Sequence, residues 1–242
     1  MESITINNRE VPFILKRSTR ARRLRMQVDS EKRQIVMTIP RFTLNFEVNR
    51  FINNQKPWIE KQLSKIEKHN KTHPKPKYLN GDVFYYLGEA VTLELVPSSF
   101  WRPRINIRGD KMVMSIHREM TMSEGKKLIK KTIQSFYKNK AEEVIHDRLQ
   151  FFNEYYQLEY KRVTLRNQKS RWGSCSGKKN LNFNWKLIMA PIEIIDYVVV
   201  HEMCHLKQMN HSAKFWNLVS LKIPYHNDAK KWLKENNYLL SA

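Results

Sequence analysis

The chain has 242 residues and carries 44 Lys+Arg against 23 Asp+Glu, a formal net charge of +21 with a pI near 10.0. Hydrophobic residues make up 41% and aromatics 11%, which excludes a disordered chain, and no apolar run approaches the roughly 20 residues of a membrane span. Two cysteines, Cys175 and Cys204, give no disulfide framework, and the start MESITINNRE lacks the parts of a secretory signal, so a cytoplasmic protein with no membrane partner is expected.

Residues 3–39 alternate as short strands. RLRMQV sets Leu24, Met26 and Val28 against Arg23, Arg25 and Gln27, and QIVMTI repeats the pattern. Residues 45–68 read as helical, with a break expected at Pro57. KHNKTHPKPKYLNG reads as an exposed connection. VFYYL, VTLELV, RINI and MVMSI read as further strands, the last two joined by an RGDK turn, and nothing repeats at a fixed period. From Ser123, the expected N-cap, to about Tyr156, apolar residues keep helical spacing. RVTLRN and LNFNWKLI read as strands flanking the loop QKSRWGSCSGKKN. Pro191 opens an almost wholly apolar, hence buried, helix, and two more helices at about 212–221 and 227–237 close the chain. The expected class is α+β: a β-rich region over 1–120 with a helical insertion, then a catalytic domain over 121–242 with its site on the buried helix.

That helix ends in VVVHEMCHLKQMNH, which places three of the chain's 8 histidines together. Residues four apart share one face of a helix, so His201 and His205 can direct ring nitrogens at one ion, and zinc accepts imidazole in tetrahedral geometry. Glu202 flanks that face, where a carboxylate can act as general base on an activated water without being a ligand. A catalytic site needs three ligands and one open position. His211 is the best third candidate, six residues after His205, the offset at which metzincin proteases place their third histidine. Those enzymes turn at a glycine where this chain has Gln208, so Asn210, which tolerates the left-handed region, is the expected pivot. His226 and Glu235 remain alternative third ligands.

SRWGSCS, LNFNWKLIMAP, DYVVVHEMCHLKQMNHSAKFW and the early RSTRARRLRMQV, in this order, resemble the YgjP-like metal-dependent hydrolases, a family grouped with SprT-like and related zincin metallopeptidases. The resemblance spans nearly the whole chain. It implies a zincin-like catalytic domain with one Zn²⁺ per chain, His201, His205 and His211 as ligands and Glu202 as base.

Around RWGSC, Lys169, Arg171, Lys178 and Lys179 crowd one loop, which suits an anionic substrate group, and Gly173 permits an unusual backbone angle or a close approach. Arg171, Gly173 and Ser174 are candidate substrate contacts. Trp172, Cys175 and Cys204 are expected in the core. The leading reading is a zinc metallopeptidase acting on protein or peptide substrates, including nucleic-acid-associated ones. The alternatives are a metal-dependent nucleotide hydrolase and a nucleic-acid-binding module with structural zinc. DNA or another polyanion is the partner suggested by the basic excess. Arg20, Arg22, Arg23 and Arg25 are its candidate contacts, provided a bulge or turn near Ser18 unites their two strand faces.

Overall fold

The computed structural model describes residues 2–6, 9–29, 34–72, 76–168 and 170–241. They form two compact units, Met1–Lys75 and Pro76–Leu240. In the first, β1 (Glu2–Ile6), β2 (Arg9–Ser18), β3 (Arg25–Asp29) and β4 (Gln34–Pro40) form a sheet in the order β1-β2-β4-β3. Only the β2–β4 pair is parallel. The central strand β4 buries Ile35, Met37 and Ile39, which pack with Val48, Ile52 and Ile59 of α1 (Asn45–Thr72). The break expected at Pro57 does not occur: α1 runs through it as a single helix. Proline removes one backbone donor there, while Ile52 and Ile59 on either side are both buried in the same core, which keeps the two halves in line.

The second unit opens with the same plan. β5 (Val83–Tyr86), β6 (Glu89–Ser98), β7 (Ile105–Arg108) and β8 (Lys111–His117) lie in the order β5-β6-β8-β7, again with only the middle pair parallel, and a long helix α2 (Met122–Tyr156) follows. The chain therefore contains a repeated architecture that no residue period announces. The cap of α2 is Thr121 rather than Ser123: the Thr121 hydroxyl accepts from the Glu124 N–H at 3.4 Å and donates to the Glu124 carboxylate at 2.6 Å. Ile129, Ile133, Tyr137, Ala141, Ile145 and Leu149 then form one buried stripe.

That stripe shares a single core with Phe84, Val91, Leu93, Met112 and Met114 of the second sheet and with the C-terminal elements. This is why the units divide at 75/76, inside the expected polar connection, and not at 120/121. The C-terminal part holds a three-stranded sheet, ordered β10-β11-β9, of β9 (Arg162–Arg166), β10 (Gly173–Cys175) and β11 (Asn180–Asn184). β10 lies inside the stretch read as a loop, and Trp185–Ile188, read as strand, belongs to a buried 3-10 turn, Trp185–Met189. α3 (Ile192–Cys204), α4 (Ala213–Ser220) and α5 (His226–Glu235) complete the unit.

Two contacts fix α3. Arg148 of α2 grips Asp196, donating from Nε and Nη2 to its two carboxylate oxygens at 2.5 and 2.9 Å. Gly88, at φ +89, lets the β5–β6 turn close on Pro191, where an added Cβ would lie 2.8 Å from the ring.

Candidate active site

α3 is apolar because it is enclosed: Ile195, Val199, Val200, Met203 and Cys204 have no exposed surface. Its C-terminal end brings His201 to the rim, and His205 caps the helix. The chain then leaves α3 by short turns: the N–H groups of Leu206, Lys207 and Gln208 bond the carbonyls of Met203, Cys204 and Cys204 at 2.9, 3.1 and 2.9 Å. No residue between His205 and His211 has a positive φ. The expected left-handed pivot at Asn210 is therefore not used, and no glycine is needed at Gln208.

This path brings His211 to the other two histidines. His201 Nε2 lies 3.2 Å from His205 Nε2 and 3.1 Å from His211 Nε2. One ligand atom from each falls within 4.8 Å of the others, and His201, His205 and His211 are the one such group among the described residues. His226 and Glu235 do not join it. His226 instead stacks on Trp216 at 5.0 Å, and Glu235 is exposed on α5.

The outer ring nitrogens of His205 and His201 are engaged. His205 Nδ1 lies 2.9 Å from the Gln208 carbonyl, which can only accept, so the proton sits on Nδ1 and the Nε2 lone pair faces its neighbours. Tyr197, one turn before His201, meets its Nδ1 at 3.4 Å. Outer partners of this kind fix tautomer and ring orientation in metal-ligating histidines. His211, though exposed, stacks on Trp216 and meets Phe215 edge-on, at 5.6 and 4.8 Å. Burial, then His205, His211 and Lys230, push His201 down to about 3, so it is neutral at physiological pH. Burial also lowers His211. The Nε2 atoms of His205 and His211 stand 3.2 and 3.1 Å from that of His201. Imidazoles on a tetrahedral zinc at about 2.0–2.1 Å place their nitrogens about 3.3 Å apart, so the donor set fits such an ion.

Glu202 is buried, and its Oε2 has no hydrogen-bond partner. Burial pushes its carboxyl up to about 8, opposed by the Arg171 charge and the Cys175 backbone N–H. The carboxylate lies against β10: a Cβ added to Gly173 would stand 2.6 Å from Glu202 Oε1 and 2.7 Å from its Cγ. The role of Gly173 is thus close approach and not an unusual angle. Ser174 pairs with Asn182 of β11, whose Nδ2 reaches the Ser174 Oγ at 3.4 Å. Arg171 is exposed, while Lys179 pairs with Glu159 at 3.8 Å and Lys169 lies outside the described residues. Trp172 and Cys204 are core, and Cys175 is half-buried.

Sequence reasoning missed Tyr197, Lys230 and the Phe215–Trp216 pair. Lys230 stands over Trp216 at 5.2 Å. Tyr197 precedes His201 by one helical turn, a spacing that the sequence displays. Contacts supplied by α4 and α5 depend on packing that no local pattern encodes.

A family model described as YgjP-like, metallopeptidase domain, matches residues 22–236. None of the curated proteins matches the chain. Among solved structures, the crystal structure of the metallopeptidase zymogen of Pyrococcus abyssi abylysin is similar over 38% of this chain and 93% of that chain, with 20% identity and a TM-score of 0.35. That likeness is too partial to carry weight, whereas the family match spans most of the sequence: the chain belongs to the YgjP-like family and carries its metallopeptidase domain.

Proposed function

We propose that the chain is a zinc-dependent peptidase in which His201, His205 and His211 hold one Zn²⁺ and Glu202 is the general base. The observation that carries this reading is the convergence of three Nε2 atoms, with Nδ1 of His205 and His201 tied outward, beside a buried carboxylate with an unsatisfied oxygen. Zinc in such a site supplies Lewis-acid chemistry, acidifying a water and polarising a carbonyl. Glu202 takes the water's proton on a carboxylate oxygen and returns it to the departing amine. The Cys175 N–H and the close fit of Gly173 hold that carboxylate in place.

A peptide reading is supported by β10, an edge strand paired only with β11. Beyond the Cys175 N–H that holds Glu202, its unpaired edge can receive an extended peptide by strand addition, and Arg171 and Ser174 are the proposed substrate contacts there. A nucleotide-hydrolysing site normally uses carboxylate-held Mg²⁺. No cluster of that kind occurs among the described residues, where the three histidines are the one group suited to a metal.

Elemental analysis of purified variants tests the ligand set. Wild type is expected to hold about one zinc per chain, with loss in His201→Ala, His205→Ala and His211→Ala and retention in His226→Ala. Full occupancy in His211→Ala with loss in His226→Ala would overturn the third-ligand assignment.

A further inference from the structure

The repeated sheets share a feature at one end. In the first, β2 and β4 are parallel and finish together, Ser18 opposite Pro40, and β3 starts beside them, Arg25 opposite Thr38. The connection 19–24 must pass over the end of β4 to reach β3, which brings Arg20, Arg22 and Arg23 to the same sheet end as residues 41–46, where the chain leaves β4 for α1. Arg17 of β2 reaches that segment, donating to the carbonyls of Arg41 and Thr43 at 3.1 and 2.9 Å. Phe42, Leu44 and Phe46 are 88%, 58% and 64% exposed there, and Arg41 lies over the Phe42 ring at 5.8 Å. Arg50 follows Phe46 by one helical turn. The acid at this end, Glu47, is occupied by the Leu44 N–H at 3.0 Å.

The second sheet repeats the arrangement. Ser98 and His117 finish β6 and β8 opposite each other, and β7 starts with Ile105 opposite Met114. The equivalent connection carries Phe100 and Trp101, each 65% exposed, with Arg102 and Arg104. Arg104 lies over Phe100 at 5.7 Å, and Trp101 stacks flat on His117 at 3.8 Å, one face of the indole covered.

We propose that these two sheet ends bind single-stranded nucleic acid, with the arginines on phosphates and Phe42, Phe46, Phe100 and Trp101 stacking on bases. The proposal is independent of the metal site. Large aromatic side chains in water beside guanidinium groups match what an unpaired strand offers, a phosphate chain with open base faces. The choice of cation points the same way. Lysines outnumber arginines in the chain, 27 to 17, yet Arg20, Arg22, Arg23, Arg25, Arg41 and Arg50 in one end and Arg102 and Arg104 in the other are all arginine. A guanidinium grips phosphate bidentately and stacks on planar rings, whereas a diffuse attraction to an anionic lipid surface is served equally by lysine.

The test is fluorescence anisotropy of the full-length protein with a labelled oligothymidylate of about 20 nucleotides, a length that covers one or two strand-binding sites, titrated over salt. Phe42→Ala with Phe46→Ala, and separately Phe100→Ala with Trp101→Ala, should weaken binding about five- to a hundredfold without changing the salt slope. Arg20→Ala, Arg22→Ala and Arg23→Ala together should flatten that slope by about 0.7 for each phosphate no longer neutralised. A duplex of equal length should bind without dependence on the aromatics. Absence of oligothymidylate binding at about 50 mM salt, where phosphate contacts are strong, would overturn the proposal. So would wild-type affinity in both aromatic variants, or aromatic-dependent binding confined to phosphatidylserine vesicles.

Discussion

At the scale of single residues, the site rests on fits that one atom can spoil. Gly173→Ala places a methyl group where Glu202 lies, 2.6 Å from its Oε1, so the carboxylate must move while the histidines stay. The expected result is full metal content with turnover reduced about a hundredfold, as for a misplacement of about 1 Å. Paired metal and rate measurements check it. Glu202 also leaves a signature in the metal-free protein. Its carboxyl is raised by burial from 4.5 to about 8, so its protonated form favours the folded state. That contribution is complete below 4.5 and is lost as pH rises through about 8. Metal-free wild type should therefore lose stability relative to metal-free Glu202→Gln as pH rises across this window. The depressed His201 acts in the opposite sense but equally in both proteins, so it cancels in the difference. Thermal melts in parallel across the window check this, and constant separation would show that Glu202 does not titrate in place. The histidines are legible in the sequence because metal geometry imposes their spacing. The contact between Gly173 and Glu202 is not, since it joins segments far apart in sequence, and the Gln208 carbonyl on His205 is a backbone group that any residue could provide.

Among the elements, α3 depends on its anchorage to α2. The Arg148–Asp196 pair is doubly hydrogen-bonded with side chains 26% and 11% exposed, so removing one partner strands a largely buried charge. Arg148→Ala is expected to cost about 3 kcal/mol, measured by urea denaturation. α2 and α3 are both legible, one from its single apolar stripe and the other from an apolar run too long for a strand. β10 is not, because three residues cannot display an alternation, and Trp185–Met189 is buried on every side, which erases any period. Thr121 and Ser123 are both residues that cap helices, and the two bonds between Thr121 and Glu124 decide between them. Pro57 misleads because packing on both sides outweighs one missing hydrogen bond. The repeat of two sheets with a following helix lies in strand order and direction, and unrelated residues satisfy it equally well.

For the molecule as a whole, the two units have separate cores, and the metal-capable cluster belongs to the second. Chelation should therefore destabilise the second unit, by about 2.7 kcal/mol relative to protein at a hundredfold excess of free zinc over its dissociation constant. Ile59→Ala, in the first core, should cost about 2–5 kcal/mol there while leaving metal content unchanged. Calorimetry with elemental analysis distinguishes the two. The basic charge is visible in composition, but the grouping of eight arginines at two sheet ends that also carry exposed aromatics requires the topology. The central claim, a three-histidine zinc site served by Glu202, is tested most directly by hydrolysis of an unfolded protein by wild type and Glu202→Gln at matched zinc content. The predicted result is equal metal with turnover in the variant lower by about 10²–10⁴-fold, the range for loss of a general base, and equal turnover in the two proteins would contradict it.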